Sequence, residues 1–198
     1  WDKKLNRIVS NESAEIIRMF NSAFNGLTGN TLDFYPEALR PTIDALNERI
    51  YPAVNNGVYR AGFATTQDAY EAAFDDVFNE LDYLDDLLSR NRYLAGEYLT
   101  EADVRLFTTL VRFDAVYHGH FKCNLRRLSD YHNLSNWLRE LYQWPGVAGT
   151  VNMEHIQKHY YMSHKTINPN GIVPKGPLQD FGLPHDRERL VGKGIWQA

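Results

Sequence analysis

The chain has 198 residues, 43% hydrophobic and 23% charged, which is an ordinary composition and long enough to bury a sizeable core. Its formal net charge of −4 gives no support to nucleic-acid binding, and no apolar run approaches the roughly 20 residues that cross a bilayer, so we expect neither nucleic acid nor membrane as a partner. A single cysteine excludes an internal disulfide framework and favours a cytoplasmic protein.

The first residues predict a short hairpin followed by a helix. Ile8 and Val9 form the returning strand of the hairpin, and apolar side chains recur at helical spacing from Ala14 to Phe24. A hairpin and one helix bury too little apolar surface to offset the entropy of ordering them. We therefore expect residues 1–25 to be the end of a small α/β domain whose first half is missing from the chain.

The sequence SNES between strand and helix is a candidate anion site. Ser13 is positioned to cap the helix, and the unpaired amides of the first turn and the helix dipole attract a carboxylate. Glu12 can hold an ammonium group, so the pair matches the head group of an α-amino acid. A plain helix cap without a ligand is the alternative interpretation.

The next segments predict a linker and two helices. Residues 26–40 are rich in Gly, Asn and Thr, which is typical of a linker. A helix follows from Pro41 to Val54, with Pro52 ending or bending it. Residues 67–90 form the longest amphipathic run, and we interpret its aspartates as a solvated face rather than a metal or acid-base site.

The stretch from Tyr93 to Phe113 joins a turn, a helix cap and a long apolar helix. Thr100 can accept a hydrogen bond from an amide of the first turn, and Asp103 can reach back to the cap, as in a capping box. The helix is apolar on too many faces for a surface helix. The sequence therefore predicts that it is the central helix of the core.

For the remaining histidines and the cysteine, a structural role is the alternative to a chemical one. His118 and His120 lack further ligands at metal-site spacing, and His155 and His159 share a helix face without the metalloprotease motif, so we expect no metal. Cys123 would be nucleophilic if its pKa were lowered, but a buried small hydrophobe is the alternative. Further helices are predicted over residues 132–143 and 153–162, and residues 166–198 predict an extended tail.

The stretch LAGEYLTEADVRLF resembles the capped core helix in the helical domain of glutathione transferases. The chain resembles one class of that family, the glutathionyl-hydroquinone reductases or Xi class, in the stretches SNESAEIIRMFN, NNGVYRAGFA, RFDAVYHGHFKCN and HIQKHYYMSHKTINPNGIVPKGP. This implies a mainly α fold, with an all-helical glutathione-transferase C-terminal domain over residues 41–165 preceded by the last β-hairpin and helix of a thioredoxin-like α/β domain. It also implies a homodimer formed through the helical domains.

The resemblance implies glutathione-dependent reduction of glutathionyl-hydroquinones. A cysteine of the family attacks the sulfur of the thioether, hydroquinone leaves, and a second glutathione resolves the mixed disulfide. That cysteine lies in a Cys-Pro motif absent from this sequence, and Cys123 is in a different motif. We therefore expect that the chain lacks most of the thioredoxin-like domain and is inactive alone.

The site residues implied by the resemblance fall into two groups. Glu12 and Ser13 match the pair that binds the γ-glutamyl end of glutathione. Tyr59 and Tyr160 match tyrosines of the hydroquinone pocket, with Tyr117 as a less secure third. A phenol can stabilise the negative charge that develops as the carbon–sulfur bond breaks, although a core or surface aromatic is the alternative for each tyrosine.

The sequence is compatible with two other functions. The first is a binding or scaffold module that keeps the glutathione-transferase fold without catalysis, for which the Glu12-Ser13 pair and the pocket tyrosines would have no use. The second is an omega-like thiol transferase or dehydroascorbate reductase, which shares the cysteine chemistry but does not require Tyr59 and Tyr160.

Overall fold

The computed structural model describes residues 1–197, most of which are helical. The α-helices are α1 (Ser13–Ser22), α2 (Asn25–Thr28), α3 (Arg40–Ile50), α4 (Gly57–Gly62), α5 (Gln67–Arg90), α6 (Glu101–Leu110), α7 (His132–Gln143) and α8 (Met153–Ser163). The strands are β1 (Leu32–Asp33), β2 (Tyr98–Leu99) and β3 (Gly194–Gln197). Two π turns are formed by Tyr51–Asn55 and Phe113–Tyr117, and 3-10 turns by Glu37–Leu39, Leu128–Asp130, Ala148–Thr150 and Arg187–Arg189. No helix within residues 1–197 is long and apolar enough to cross a membrane.

Helix α6 lies in the core, as its apolar sequence predicts. It packs on α3 and α7, while the longest helix, α5, packs on α4 and α7. Ala102, Leu106 and Leu110 of α6 are completely buried. The predicted bounds of α5 and α7 agree with the structure, because both helices carry a regular apolar stripe.

The carboxylate of Asp103 connects α6 to two other parts of the chain. It accepts hydrogen bonds from the Thr100 amide at 3.0 Å, the Leu94 amide at 2.9 Å and the Trp137 indole at 3.0 Å. The Thr100–Asp103 contact is the capping box that the sequence predicts. Burial raises the pKa of Asp103 to about 6, even though these hydrogen bonds favour its charged form.

The hairpin predicted at the beginning of the chain is wrong in its extent. Only Asp2 and Arg7 pair, as an isolated antiparallel bridge, and the chain between them forms a turn. Ile8 and Val9 are not in a strand and are 62% and 60% exposed. An isolated two-stranded hairpin is only marginally stable in water. No strand elsewhere in residues 1–197 pairs with the predicted hairpin to extend it into a sheet.

The predicted linker and the helix after it contain more structure than expected. Residues 26–40 include most of α2, the strand β1 and a 3-10 turn. Helix α3 ends at Ile50 and continues as a π turn that contains Pro52. The proline ends the regular helix, in agreement with the prediction, because it cannot donate the helical hydrogen bond.

The C-terminal tail is irregular over much of its length but is fixed at two places. Its last described residues form β3, the central strand of the sheet, antiparallel to β1 and parallel to β2. Arg187 is completely buried, and its guanidinium donates to the carbonyls of Leu88, Asn91 and Arg92 at 2.5–2.8 Å. The sequence does not predict β3, because strand pairing depends on distant segments that local composition does not reveal.

Candidate functional site

An open cleft of about 380 Å³, which we call the tyrosine cleft, brings together residues that are far apart in sequence. It is lined by α1, α4, α6, α8 and the two π turns, through Ser13, Tyr51, Asn55, Tyr59, Arg105, Thr108, Thr109, Arg112, Tyr117 and Tyr160. Four of the five site residues named from the sequence are in this set. Glu12 is the exception.

The hydroxyl groups of Tyr59, Tyr117 and Tyr160, which we call the tyrosine cluster, form a hydrogen-bonded chain. Tyr160 is in the middle, 2.5 Å from the Tyr59 hydroxyl and 2.8 Å from the Tyr117 hydroxyl. Two contacts between three hydroxyl groups use two of the three protons. One O–H therefore remains available to donate to a ligand.

Burial sets the protonation of Tyr117 and Tyr160. Tyr117 and Tyr160 are only 2% and 6% exposed. Burial raises the pKa of Tyr160 to about 12, against a lowering effect of the hydrogen bond from Tyr117, and burial also raises the pKa of Tyr117 well above its usual range. Both phenols are therefore protonated at neutral pH and can act as hydrogen-bond donors.

A close helix contact fixes the position of Tyr59. Its ring packs on Phe121 with 5.3 Å between centroids, and Phe121 also lies against Gly62 at the end of α4. A Cβ atom added to Gly62 would be 2.2 Å from the Phe121 ring. Glycine at this position therefore lets α4 approach closely enough to present Tyr59 to the cleft.

At the start of α1, the structure separates the two residues of the predicted anion site. Ser13 lines the tyrosine cleft but does not cap α1, whose N-cap position is Glu12 and has no side-chain cap hydrogen bond. The Ser10 hydroxyl accepts from the Glu12 amide at 3.1 Å and donates to Glu15 at 2.6 Å. The prediction that Ser13 caps the helix is wrong, because Ser13 is already inside the first turn and Glu12 takes the N-cap position. Glu12 is exposed and does not line the cleft.

The cleft also contains two arginines that the sequence motifs do not indicate as site residues. Arg105 and Arg112 are seven residues apart, a spacing that places them on the same side of α6 and the turn after it. Two cations at this spacing in a mostly apolar segment are the signal in the sequence that could have identified them. Asn55 supports the same wall, because its amide donates to the Arg105 carbonyl at 3.1 Å and to the Thr109 hydroxyl at 2.6 Å.

Cys123 does not have the character of a nucleophile. Its side chain is completely buried, and burial raises the pKa of its thiol to about 12. The reactive form of a cysteine is the thiolate, which this site disfavours. The interpretation as a buried small hydrophobe therefore agrees with the structure.

The histidine pairs considered as metal ligands are arranged differently from either sequence pairing. Nε2 of His120 lies 3.1 Å from Nδ1 of His164, and burial lowers the pKa of His120 to about 4. Within the part of the chain that the structure describes, no group of three or more His, Cys, Asp or Glu side chains is arranged to hold a metal ion. The His120–His164 contact is a neutral hydrogen bond between the segment after the second π turn and the residue that follows α8.

Comparison with known proteins identifies the helical part. Residues 67–140 match the model of the glutathione S-transferase C-terminal domain, so this region has that fold. Among curated proteins, the chain is 60% identical to glutathionyl-hydroquinone reductase YqjG of Escherichia coli over 192 residues, which are 97% of this chain and 58% of the relative. The chain thus spans less than two thirds of that relative's length.

Solved structures give the same result for the fold. The glutathione-bound structure of YqjG, described as a glutathione transferase homolog, superposes with a TM-score of 0.91 at 60% identity, covering 95% of this chain and 61% of that chain. A Xi class glutathione transferase from Natrialba magadii superposes with a TM-score of 0.92 at 50% identity, covering 96% of this chain and 58% of that chain.

Proposed function

We propose that the protein containing this chain uses glutathione to reduce glutathionyl-hydroquinones to hydroquinones. The observation that carries the proposal is the convergence of Tyr59, Tyr117 and Tyr160 in one cleft, with an O–H available to a ligand. The resemblance of the sequence to glutathionyl-hydroquinone reductases, and its 60% identity to a protein of that name, support the same reaction.

The tyrosine cluster suits the chemistry of this substrate. When a thiolate attacks the thioether sulfur, a sulfur–sulfur bond forms and the bond from sulfur to the ring carbon breaks. The cysteine sulfur is oxidised, and the ring carbon keeps the electron pair and takes up a proton. A phenol that donates to a ring oxygen stabilises the negative charge on the ring, and it does so best in a site where the donor is already in place.

The nucleophile in this proposal is a cysteine outside these 198 residues. Cys123 is the one cysteine of the sequence, and its buried thiol resists ionisation. The mixed disulfide that the attack produces is then resolved by a second glutathione, which leaves as oxidised glutathione. This chain alone therefore supplies the wall of the site that binds the ring and not the attacking group.

Ser13 and the adjacent Glu12, which lies outside the lining of the cleft at the N-cap of α1, complete the proposal as the pair that binds the γ-glutamyl end of glutathione. Ser13 faces the same cleft as the tyrosines, so a γ-glutamyl group bound there would place the rest of glutathione towards the ring.

We assign residues 1–25 to the end of a thioredoxin-like domain, residues 26–40 to a linker, residues 41–165 to the helical domain and residues 166–198 to a tail. The proposal also includes pairing of two copies through the helical domain. It places the reaction in the cytoplasm, because reduced glutathione is abundant there.

The test is an assay of glutathionyl-hydroquinone reduction with the whole protein and its Tyr160→Phe variant. Losing one preorganised donor to a developing negative charge lowers turnover by about 100-fold. Tyr142→Phe is the matched control, because Tyr142 is half-buried against Phe181 and outside the cleft. No turnover by the unmodified whole protein would overturn the proposal and favour a binding or scaffold module.

A further inference from the structure

The tyrosine cleft contains positive charge that has little compensation from acidic side chains. The residues that line it include Arg105 and Arg112 but no aspartate or glutamate. The nearest candidate to neutralise Arg105 is Glu101, whose carboxylate is 3.9 Å from the Arg105 guanidinium. At this distance the contact is an ion pair without a good hydrogen bond.

Glu101 is already bound by other residues. Arg18 donates to both of its carboxylate oxygens, with the shortest contact at 2.7 Å, and the amide of Asn47 donates to it at 3.0 Å. This carboxylate is buried and its charge is shared mainly with Arg18. The guanidinium of Arg105 is therefore left with unused donors.

Arg112 is less compensated than Arg105. Its guanidinium donates to the backbone carbonyl of Thr108, which is a neutral acceptor. No ion pair joins Arg112 to a carboxylate anywhere in residues 1–197. The side chain is half-buried, so water screens its charge less than at an exposed site.

Arg112 is also close enough to the tyrosine cluster to act on it. Burial is the main cause of the raised pKa of Tyr160, and the positive charge of Arg112 opposes it. A molecule whose ring oxygens accept hydrogen bonds from the tyrosines would therefore have two planar cations beside it. A guanidinium binds a planar carboxylate with two parallel hydrogen bonds, which a lysine cannot do.

We propose that the ring bound in the tyrosine cleft carries an ionised carboxylate, held by Arg112 and Arg105. This inference rests on the proposed function and adds a substrate class to it, namely glutathionyl-hydroquinones with an acidic substituent on the ring. The tyrosines bind the ring oxygens, and the arginines select among quinols by charge.

The experiment measures equilibrium binding by calorimetry, so it requires no turnover. The whole protein is titrated with 2,5-dihydroxybenzoate, which carries the carboxylate, and with hydroquinone, which lacks it. We expect 2,5-dihydroxybenzoate to bind at least about tenfold tighter, which is the effect of one charge-assisted hydrogen-bonded pair. Arg112→Met and Arg105→Met reduce this preference, and Arg112→Lys keeps part of it because the charge remains.

Two controls distinguish a carboxylate site in the cleft from general attraction between charges and from the binding of glutathione. Arg60→Met removes a cation of α4 that is paired with Asp76 outside the cleft, and it leaves the preference unchanged. Glutathione is titrated as well, because its own carboxylates are another source of negative charge. If Arg112→Met weakens glutathione binding but not 2,5-dihydroxybenzoate binding, the inference is wrong.

The two proposals fail in different ways. Equal binding of both ring compounds to the unmodified protein, together with turnover of a neutral glutathionyl-hydroquinone, overturns the carboxylate inference and leaves the proposed function intact. A clear preference for 2,5-dihydroxybenzoate without turnover of any glutathionyl-hydroquinone supports the carboxylate site and overturns the reductase. Thermal melting of each variant shows whether it is folded.

Discussion

The hydroxyl oxygens of Tyr59 and Tyr160 lie 2.5 Å apart, although the residues are separated by 101 positions in the sequence. This contact joins α4 to α8, and a second one at 2.8 Å joins Tyr160 to Tyr117 in the second π turn. The hydroxyl groups are therefore part of the tertiary structure as well as of the candidate site. A substitution of Tyr160 has a cost in stability that must be separated from its effect on chemistry.

We expect Tyr160→Phe to lower the free energy of unfolding by about 1–3 kcal/mol, because it leaves the hydroxyl of the buried Tyr117 without its partner. In the double variant Tyr117→Phe/Tyr160→Phe both partners are removed, so the second substitution costs less than it does alone. Urea denaturation of the four proteins of this cycle measures the difference. Strict additivity of the two effects would show that the hydroxyl contact contributes nothing to stability.

The packing of α4 gives a prediction about shape rather than polarity. Gly62→Ala places a Cβ atom 2.2 Å from the ring of Phe121, so one of the two segments must move. We expect a loss of about 1–3 kcal/mol in unfolding free energy, together with displacement of Tyr59. Gly149→Ala is the matched control, because an added Cβ there has no neighbour within 4 Å, and it is expected to be neutral or slightly stabilising. Equal melting temperatures of the two variants would contradict the close contact.

The helices were predicted well because their signals are local. The apolar stripe of α5 and the capping box of Thr100 and Asp103 are contained in short stretches, and both are present in the structure. The hairpin at Ile8 and Val9 was predicted from the same kind of local pattern and is wrong, because a strand requires a partner. Strand β3 was missed for the same reason, since its partners are about 100 and 160 residues away.

The candidate site could be predicted only in part from the sequence. A resemblance of short motifs identified Tyr59, Tyr117 and Tyr160, but nothing in their spacing indicates that their hydroxyl groups meet. Arg105 and Arg112 were not identified, because an arginine in a helix is usually a surface residue and its uncompensated charge is visible only when the neighbouring carboxylates have been placed.

Asp103 gives a prediction about pH. Its pKa is about 6 in the folded chain and about 4 in an unfolded chain, so the folded state holds the proton more tightly. The stability that this group contributes is therefore present below about pH 4 and is lost as the pH rises to about 6. We expect the unfolding free energy of the unmodified protein, relative to that of Asp103→Asn, to fall across this interval.

The Asp103→Asn variant is also less stable at neutral pH, by about 2–4 kcal/mol. Its side-chain NH₂ group faces N–H donors whose hydrogen bonds the carboxylate of Asp103 accepts. Chemical denaturation at several pH values measures both effects. The same pH slope in the two proteins between pH 4 and 6 would show that Asp103 has an ordinary pKa in the folded state.

Arg187 gives a prediction about the C-terminal tail. The side chain is completely buried, and its guanidinium donates to carbonyls at the end of α5 and just after it, where the helix leaves such groups unpaired and the helix dipole favours a cation. Burial lowers the pKa of Arg187, but an arginine keeps its proton even so. Arg187→Met fills the same space and leaves these carbonyls without a donor.

We expect Arg187→Met to release the tail more than it unfolds the helices. Backbone amides of β3 then exchange with solvent faster, while the exchange rates of the amides of α5 and α6 change little. The tail is also cleaved earlier in limited proteolysis. Arg189→Met is the comparison for a surface contact, because Arg189 is exposed and its bonds to Asp186, the Ser89 carbonyl and the Asn133 side chain compete with water, so we expect a smaller effect. If the amides of β3 exchange as slowly in Arg187→Met as in the unmodified protein, the buried guanidinium does not hold the tail, and the pairing of β3 with β1 and β2 is sufficient to fix it.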